Sequence, residues 1–148
     1  MSGSVRYLFE INPVVWVRVE NPHSLCELFI HFPALIDTGA DATVIPKKLC
    51  VFLGHSFEKG LSESRTAGIG SGEIRTFAHR TKLTVQCPTI HESFSMNTTT
   101  FEPVEFPCDF VEQDMNFILL GQRDFLRMFR YAQDGKEGWF SLEQIIHS

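Results

Sequence analysis

The sequence is poor in the features that would tie it to a membrane, to nucleic acid or to a metal. No apolar run among its 148 residues reaches the length that spans a bilayer, and Met1-Ser2-Gly3-Ser4-Val5-Arg6 is not followed by an apolar stretch of signal-peptide length. A soluble, cytoplasmic protein with no membrane partner is the expectation. Basic residues are scarce. Lys and Arg number 13 against 18 Asp and Glu, the net charge is -5, and no Lys/Arg stripe forms the footprint that a phosphate backbone requires. Nucleic acid is therefore not an expected partner. Cysteines are few and scattered: Cys26, Cys50, Cys87 and Cys108 lack the C-x-x-C pairing of a zinc or redox site, and no two histidines stand at the i,i+4 spacing of a helical metal site. No metal and no cofactor is expected, and the cysteines read as free, mostly buried thiols. Internal repeats and low-complexity tracts are missing as well.

What is present is enough apolar material, 43% of the chain, to build one core, and residues 1–148 read as a single domain. The first third is β-rich. Arg6 to Ile11, Val14 to Val19 and Leu25 to Phe32 read as strands, broken by turns at Asn12-Pro13 and Asn21-Pro22. Pro46 to Leu53 reads as a short helix opened by the proline and closed by Gly54. Gly68-Ile69-Gly70-Ser71-Gly72 lies between two strand-like arms and predicts a long hairpin with a glycine-rich tip. Pro88 to Thr100 is polar and turn-like, and Thr99 to Val111 carries one or two further strands despite Pro103 and Pro107. Phe117-Ile118-Leu119-Leu120-Gly121 has the continuous apolar character of a buried strand. It feeds a helix in which Phe125, Met128 and Phe129 form a core stripe. The Asp134-Gly135 pair predicts a tight hairpin near the end.

The chemistry concentrates in Leu35-Ile36-Asp37-Thr38-Gly39-Ala40-Asp41-Ala42-Thr43-Val44-Ile45, where a carboxylate follows apolar strand positions. Such an acid must be hydrogen-bonded or neutralised, so its placement predicts either a structural turn or a site with a shifted pKa. On Asp-Thr-Gly alone the turn is the commoner outcome, with Asp or Thr side chains bonding nearby amides.

The wider pattern, from Leu35 to Pro46, resembles the active-site motif of retropepsin-like aspartic peptidases. Leu119-Leu120-Gly121 with Arg123-Asp124-Phe125-Leu126 is similar to that family's second motif, and Ala67 to Gly72 is similar to the tip of its flap. The resemblance implies an all-β fold, a closed or partly open barrel with a glycine-rich flap hairpin and one or two short helices. Asp37, Thr38 and Gly39 are then the catalytic segment, and Ala40, Asp41, Gly68, Ile69 and Gly70 contact substrate. Thr38 is implied to bond the partner chain's backbone, against local turn bonding as the plainer reading. Gly39 lets backbone and substrate approach closely, or simply permits an unusual φ. Asp41 is implied to pair with Arg123 or to bond substrate main chain, against a solvated carboxylate. One residue, Gln122, is extra relative to the family pattern and bears on that pairing. Phe129 to Gly135 and Trp139 to Leu142 look more like cellular, bacterial-type members than viral ones, so the dimer interface is expected to differ from the interleaved viral termini.

One motif per chain supplies one carboxylate, while aspartic-peptidase chemistry needs two. A homodimer acting on a polypeptide substrate is the expected arrangement. A peptide-binding or scaffolding module that keeps the fold without turnover is the alternative, separated from the first by the effect of Asp37→Asn on hydrolysis.

Overall fold

The computed structural model describes residues 4–9, 11–25, 28–67, 73–87 and 101–145. Its strands are β1 (Ser4–Leu8), β2 (Val14–Glu20), β3 (Phe29–Ile36), β4 (Val44–Pro46), β5 (Ser62–Ala67), β6 (Glu73–Val85), β7 (Val104–Val111), β8 (Ile118–Leu120), β9 (Phe129–Asp134) and β10 (Trp139–Gln144). One helix, α1 (Lys47–Phe52), and one 3-10 turn (Leu126–Met128) complete the described elements. The fold is all-β, as expected.

Strict alternation writes the barrel into the sequence. Val15, Val17 and Val19 of β2 are buried, whereas Val14 and Trp16 face outward. The sheet order β2-β3-β8-β4-β7-β6-β5 carries an additional β2–β6 pairing, so six strands close on themselves and β5 is appended to β6. Closure depends on the length of β6. Its first half pairs with β5, its middle with β7, and its last residues, Lys82 to Val85, with Glu20 to Val17 of β2. The interior is filled by large side chains such as Phe110, Ile45, Leu83, Ile118 and Leu120, all at or near zero exposure. Each stabilises by roughly 1.5–3 kcal/mol through burial. A second sheet, β1-β10-β9, is formed within the chain by antiparallel pairing of its two ends. Tyr7 stacks on Phe140 at 4.9 Å and its hydroxyl donates to the Gln86 carbonyl at 3.1 Å, tying this sheet to the end of β6.

Several expectations shift in register. The third strand runs Phe29–Ile36 rather than Leu25 to Phe32, because pairing with both β2 and β8 places Ala34 and Ile36 in the core. α1 starts after Pro46 and ends as expected at Gly54, whose φ of 80° supplies the left-handed exit. Pro107 is tolerated in β7 because β4 pairs only Asp109 to Val111, leaving the proline's side of the strand without that neighbour. The helix expected over Arg123 to Phe129 contracts to the 3-10 turn. Phe129 is drawn into β9 opposite Gln144, and Phe125 and Phe129 still bury as expected, with their rings stacked at 4.9 Å. The last hairpin is present, but its left-handed residue is Gly138, with φ 73°, rather than Gly135, so the connection is wider than a two-residue Asp-Gly turn. The arms of the glycine-rich hairpin pair up to Ala67 and Glu73. Its tip, including Gly68, Ile69 and Gly70, lies outside the described residues, as do Cys26 and all of Pro88 to Thr100, His91 included.

Candidate active site

Asp37 stands where three strands meet. Alternation along β3 sends Ala34 and Ile36 inward, so Leu35 and Asp37 share the opposite face. β8 lies parallel to β3 and antiparallel to β4, and the 37–43 loop joins those two flanking strands. The chain is gripped on both sides of the turn into this loop: Ile36 N–H donates to the Pro13 carbonyl at 3.0 Å, and Asp37 N–H to the Leu120 carbonyl at 3.1 Å. Gly121 is forced by this crossing. A Cβ there would stand 2.3 Å from the Ala42 carbonyl carbon and 2.7 Å from its Cα, an overlap with backbone that nothing can relieve cheaply.

Within the loop Asp37 makes the local turn that its tripeptide predicts. Its Oδ1 accepts the Gly39 N–H at 3.0 Å, and its carbonyl accepts the Ala40 N–H at 3.2 Å. Asp37 is half-buried, whereas Thr38 and Gly39 are exposed. Among the described residues, a Cβ on Gly39 would meet only Asp37 Oδ1, at 3.4 Å, so nothing else among them demands a glycine there. Beside Asp37 lies an apolar floor. Leu35 pairs with Leu119, and Leu119 with Val44. All three are half-buried, while their neighbours Ile36, Leu120 and Ile45 are in the core.

The expected contact between Asp41 and Arg123 exists but is weak. Nε stands 3.9 Å from Oδ1, with the two side chains 80% and 78% exposed, a geometry that contributes under about 1 kcal/mol. What joins the two segments instead is backbone pairing and a buried clasp. Gln122 N–H donates to the Ala40 carbonyl at 2.8 Å and Arg123 N–H to the Asp41 carbonyl at 2.9 Å. Asp124 takes the Thr43 N–H on one oxygen at 2.8 Å and the Thr43 hydroxyl on the other at 2.7 Å, and Thr43 Oγ1 accepts the Gly121 N–H at 3.1 Å. Thr43 is fully buried. Nearby Asp109, whose N–H donates to the Thr43 carbonyl at 3.1 Å, is held above the usual carboxylate range by burial first and by Asp124 second. Sequence reasoning passed over Asp124. It also accepts the adjacent Phe125 N–H at 2.6 Å, and nothing in the local sequence marks its bonds to Thr43.

Of two further histidines, His79 is satisfied inside the fold, whereas His55 Nε2 is buried without a hydrogen-bond partner among the described residues. His79 is buried with Nε2 2.9 Å from the Phe57 carbonyl oxygen, as expected of a satisfied histidine, and His55 lies against it at 4.7 Å between ring centroids. Burial, then His79 and then His23, lower His55 to about 4. Among the described residues no three His, Cys, Asp or Glu side chains gather to hold a metal, and no helix is long and apolar enough to cross a membrane. Cys50, Cys87 and Cys108 are free thiols. A cleft of about 550 Å³ opens beyond Asp124, between Val104, Phe106, Met128 and Ile145, and Asp37 does not line it.

Comparison with known proteins follows the same division of the chain. Residues 9–131 match the family model described as retroviral aspartyl protease. Among solved structures, the fold is similar to that of a retropepsin-like aspartic protease from Rickettsia conorii, with a TM-score of 0.57 at 18% identity, covering 97% of this chain and 99% of that one. EIAV protease complexed with the inhibitor HBY-793 aligns with a TM-score of 0.41 at 20% identity, over 78% of this chain and 86% of that one. Comparison with curated proteins returns no match. The family match spans Asp37, the floor and Gly121 alike, and the barrel and Asp37 loop are of one piece with it: the chain belongs to the retroviral aspartyl protease family.

Proposed function

We propose that the chain is an aspartic endopeptidase that cleaves polypeptides as a homodimer, with Asp37 of each copy facing one water across a two-fold axis. The observation that carries this reading is the seat of Asp37: a half-buried carboxylate beside the apolar floor of Leu35, Leu119 and Val44, its backbone held from both sides. One such seat per chain is half a site.

Two like charges within about 3 Å cannot both ionise cheaply, so the pair holds one shared proton between them. The ionised Asp37 takes a proton from water as the water oxygen bonds to the scissile carbonyl carbon. The protonated copy passes its proton to the carbonyl oxygen, and the product is a neutral tetrahedral diol with no acyl-enzyme. The proton taken from water is then passed to the amide nitrogen as the C–N bond breaks, and a diol hydroxyl returns its proton to the other Asp37, releasing the amine and the acid and restoring the shared proton. Hydrolysis is fastest at mildly acidic pH, where the pair carries that proton.

The same reading assigns Thr38 to the contact beneath the two acids, Gly39 and Ala40 to the closely approached backbone, and Asp41 to substrate main chain. Gly68, Ile69 and Gly70 close over the peptide and exclude water. Because β1 and β10 pair within one chain, the dimer contact is read as centred on the Asp37 loops rather than on interleaved termini. Residues 1–148 act as one domain, and free thiols at Cys50, Cys87 and Cys108 fit a reducing, cytoplasmic setting.

The test is hydrolysis of a denatured protein at mildly acidic pH, with and without pepstatin, by the native chain and by Asp37→Asn. Asparagine keeps the oxygen that accepts the Gly39 N–H, so the turn survives. Loss of the general base lowers the rate by about 10²–10⁴-fold. Specific activity rises with protein concentration as the dimer forms. Equal rates for both proteins would remove Asp37 from the chemistry.

A further inference from the structure

The chemistry proposed for Asp37 makes no use of Asp124, yet Asp124 is the most fully engaged carboxylate near it. One oxygen accepts the Thr43 N–H, and the other accepts the Thr43 hydroxyl and the Phe125 N–H. These contacts close a ring. The loop leaves β3 at Asp37 and ends at Thr43, whose hydroxyl oxygen receives the Gly121 N–H. Gly121 follows Leu120, whose carbonyl holds the Asp37 N–H. Asp124 is the side chain that fastens Thr43 to the segment after β8, so it bridges the loop's far end to the strand that grips its near end.

We propose that Asp124 is a positioning residue: by clamping Thr43 it sets where the Asp37 carboxylate stands. The proposal rests on the reading of Asp37 as catalytic. Donor and acceptor counting explains why an aspartate is used. Thr43 presents two donors, its N–H and its O–H, and Phe125 presents a third. All three point at one carboxylate, which has acceptor sites on both oxygens and a charge that strengthens each bond. An asparagine has one acceptor oxygen, and its NH₂ would face a donor. The exposed, long contact between Arg123 and Asp41 cannot replace this restraint, since its geometry costs almost nothing to break. A clamp that acts through one intervening loop displaces Asp37 when cut. Displacement of a reacting group by about 1 Å lowers turnover by up to about 10²-fold.

The experiment compares the full chain with Asp124→Asn, with Thr43→Val as an isosteric variant that removes only the hydroxyl, and with the double variant. The expected result is a kcat per folded molecule reduced by roughly 10- to 100-fold in each single variant, with KM changed by less than about threefold. The double variant should be no worse than the poorer single one, because both cut the same ring. Thr43→Ser, which restores the hydroxyl, should return turnover to near the native rate. A second readout needs no turnover: both single variants should shift the carboxyl carbon resonance of Asp37 and weaken hydrogen-exchange protection of its amide about tenfold or more. Activity that falls only with the folded fraction, or an unmoved Asp37 resonance with native amide protection, overturns the proposal. A native chain lacking Asp37-dependent hydrolysis would instead defeat the peptidase reading, and the Asp37 resonance and amide protection would still decide whether Asp124 positions that side chain.

Discussion

Two aspartates of this chain fold the backbone over themselves in the same way. Asp37 Oδ1 accepts the Gly39 N–H at 3.0 Å, and Asp134 Oδ1 accepts the Lys136 N–H at 3.1 Å and the Glu137 N–H at 3.0 Å. Locally both are Asx turns, and by that criterion Asp134 is the better one. The difference lies in what surrounds them. Asp134 ends β9 at an exposed hairpin whose far side is Gly138. Asp37 leaves a strand with a parallel neighbour, has its amide held by Leu120, faces Leu35 and Leu119, and belongs to a loop clasped by Asp124. A turn and a candidate catalytic seat are therefore compatible readings of one tripeptide. The tertiary frame adds the second role to the first.

The largest expected effect that would break the comparison is at the crossing beneath Asp37. Gly121→Ala drives a Cβ to 2.3 Å from the Ala42 carbonyl carbon and should cost about 3 kcal/mol of stability together with nearly all hydrolysis, read from urea unfolding and a rate assay. No glycine of the Asp134 hairpin is so confined: a Cβ on Gly135 meets nothing within 4 Å.

Next in size is a pH effect that separates the core from the site. His55 titrates near 6.5 when unfolded and about 4 in the fold, so on acidification the unfolded chain takes up its proton first. The stability contributed by neutral His55 is complete above about 6.5 and is lost as pH falls toward about 4, seen as a falling urea midpoint. His55→Gln should flatten that slope. A slope left unchanged by the variant would assign the acid sensitivity to carboxylates instead.

The smallest effect is expected at the other aspartate. Asp134→Ala removes two hydrogen bonds from an exposed turn and should cost about 1 kcal/mol in urea unfolding, leaving hydrolysis unchanged. A large loss of hydrolysis there would erase the contrast between the two turns.

Much of this molecule was legible because its signals are short-range. The alternation of β2, the proline start and glycine end of α1, and the apolar-Asp-Thr-Gly run all depend on neighbours within a few residues. The readings that moved are those in which a distant partner outvotes local preference. β3 slides toward Ile36 because β8 must lie beside Leu35. The helix after Gly121 shortens because Phe129 pairs with Gln144 and Asp124 spends its carboxylate partly on Thr43, 81 residues away in sequence. The same competition explains why Asp124 was overlooked: the pairing of Arg123 with Asp41 was implied by the family resemblance, whereas a clasp exists only when two loops meet.

By itself, then, the sequence determined an all-β chain with a single acid following a buried strand, because side-chain alternation and turn chemistry are local properties of the backbone. Only the tertiary structure decided that β8 threads between β3 and β4 beneath that acid, that Gly121 has no room for a Cβ, and that Asp124 ties the loop shut. Each of these requires segments some 80 residues apart to come within hydrogen-bonding or van der Waals distance.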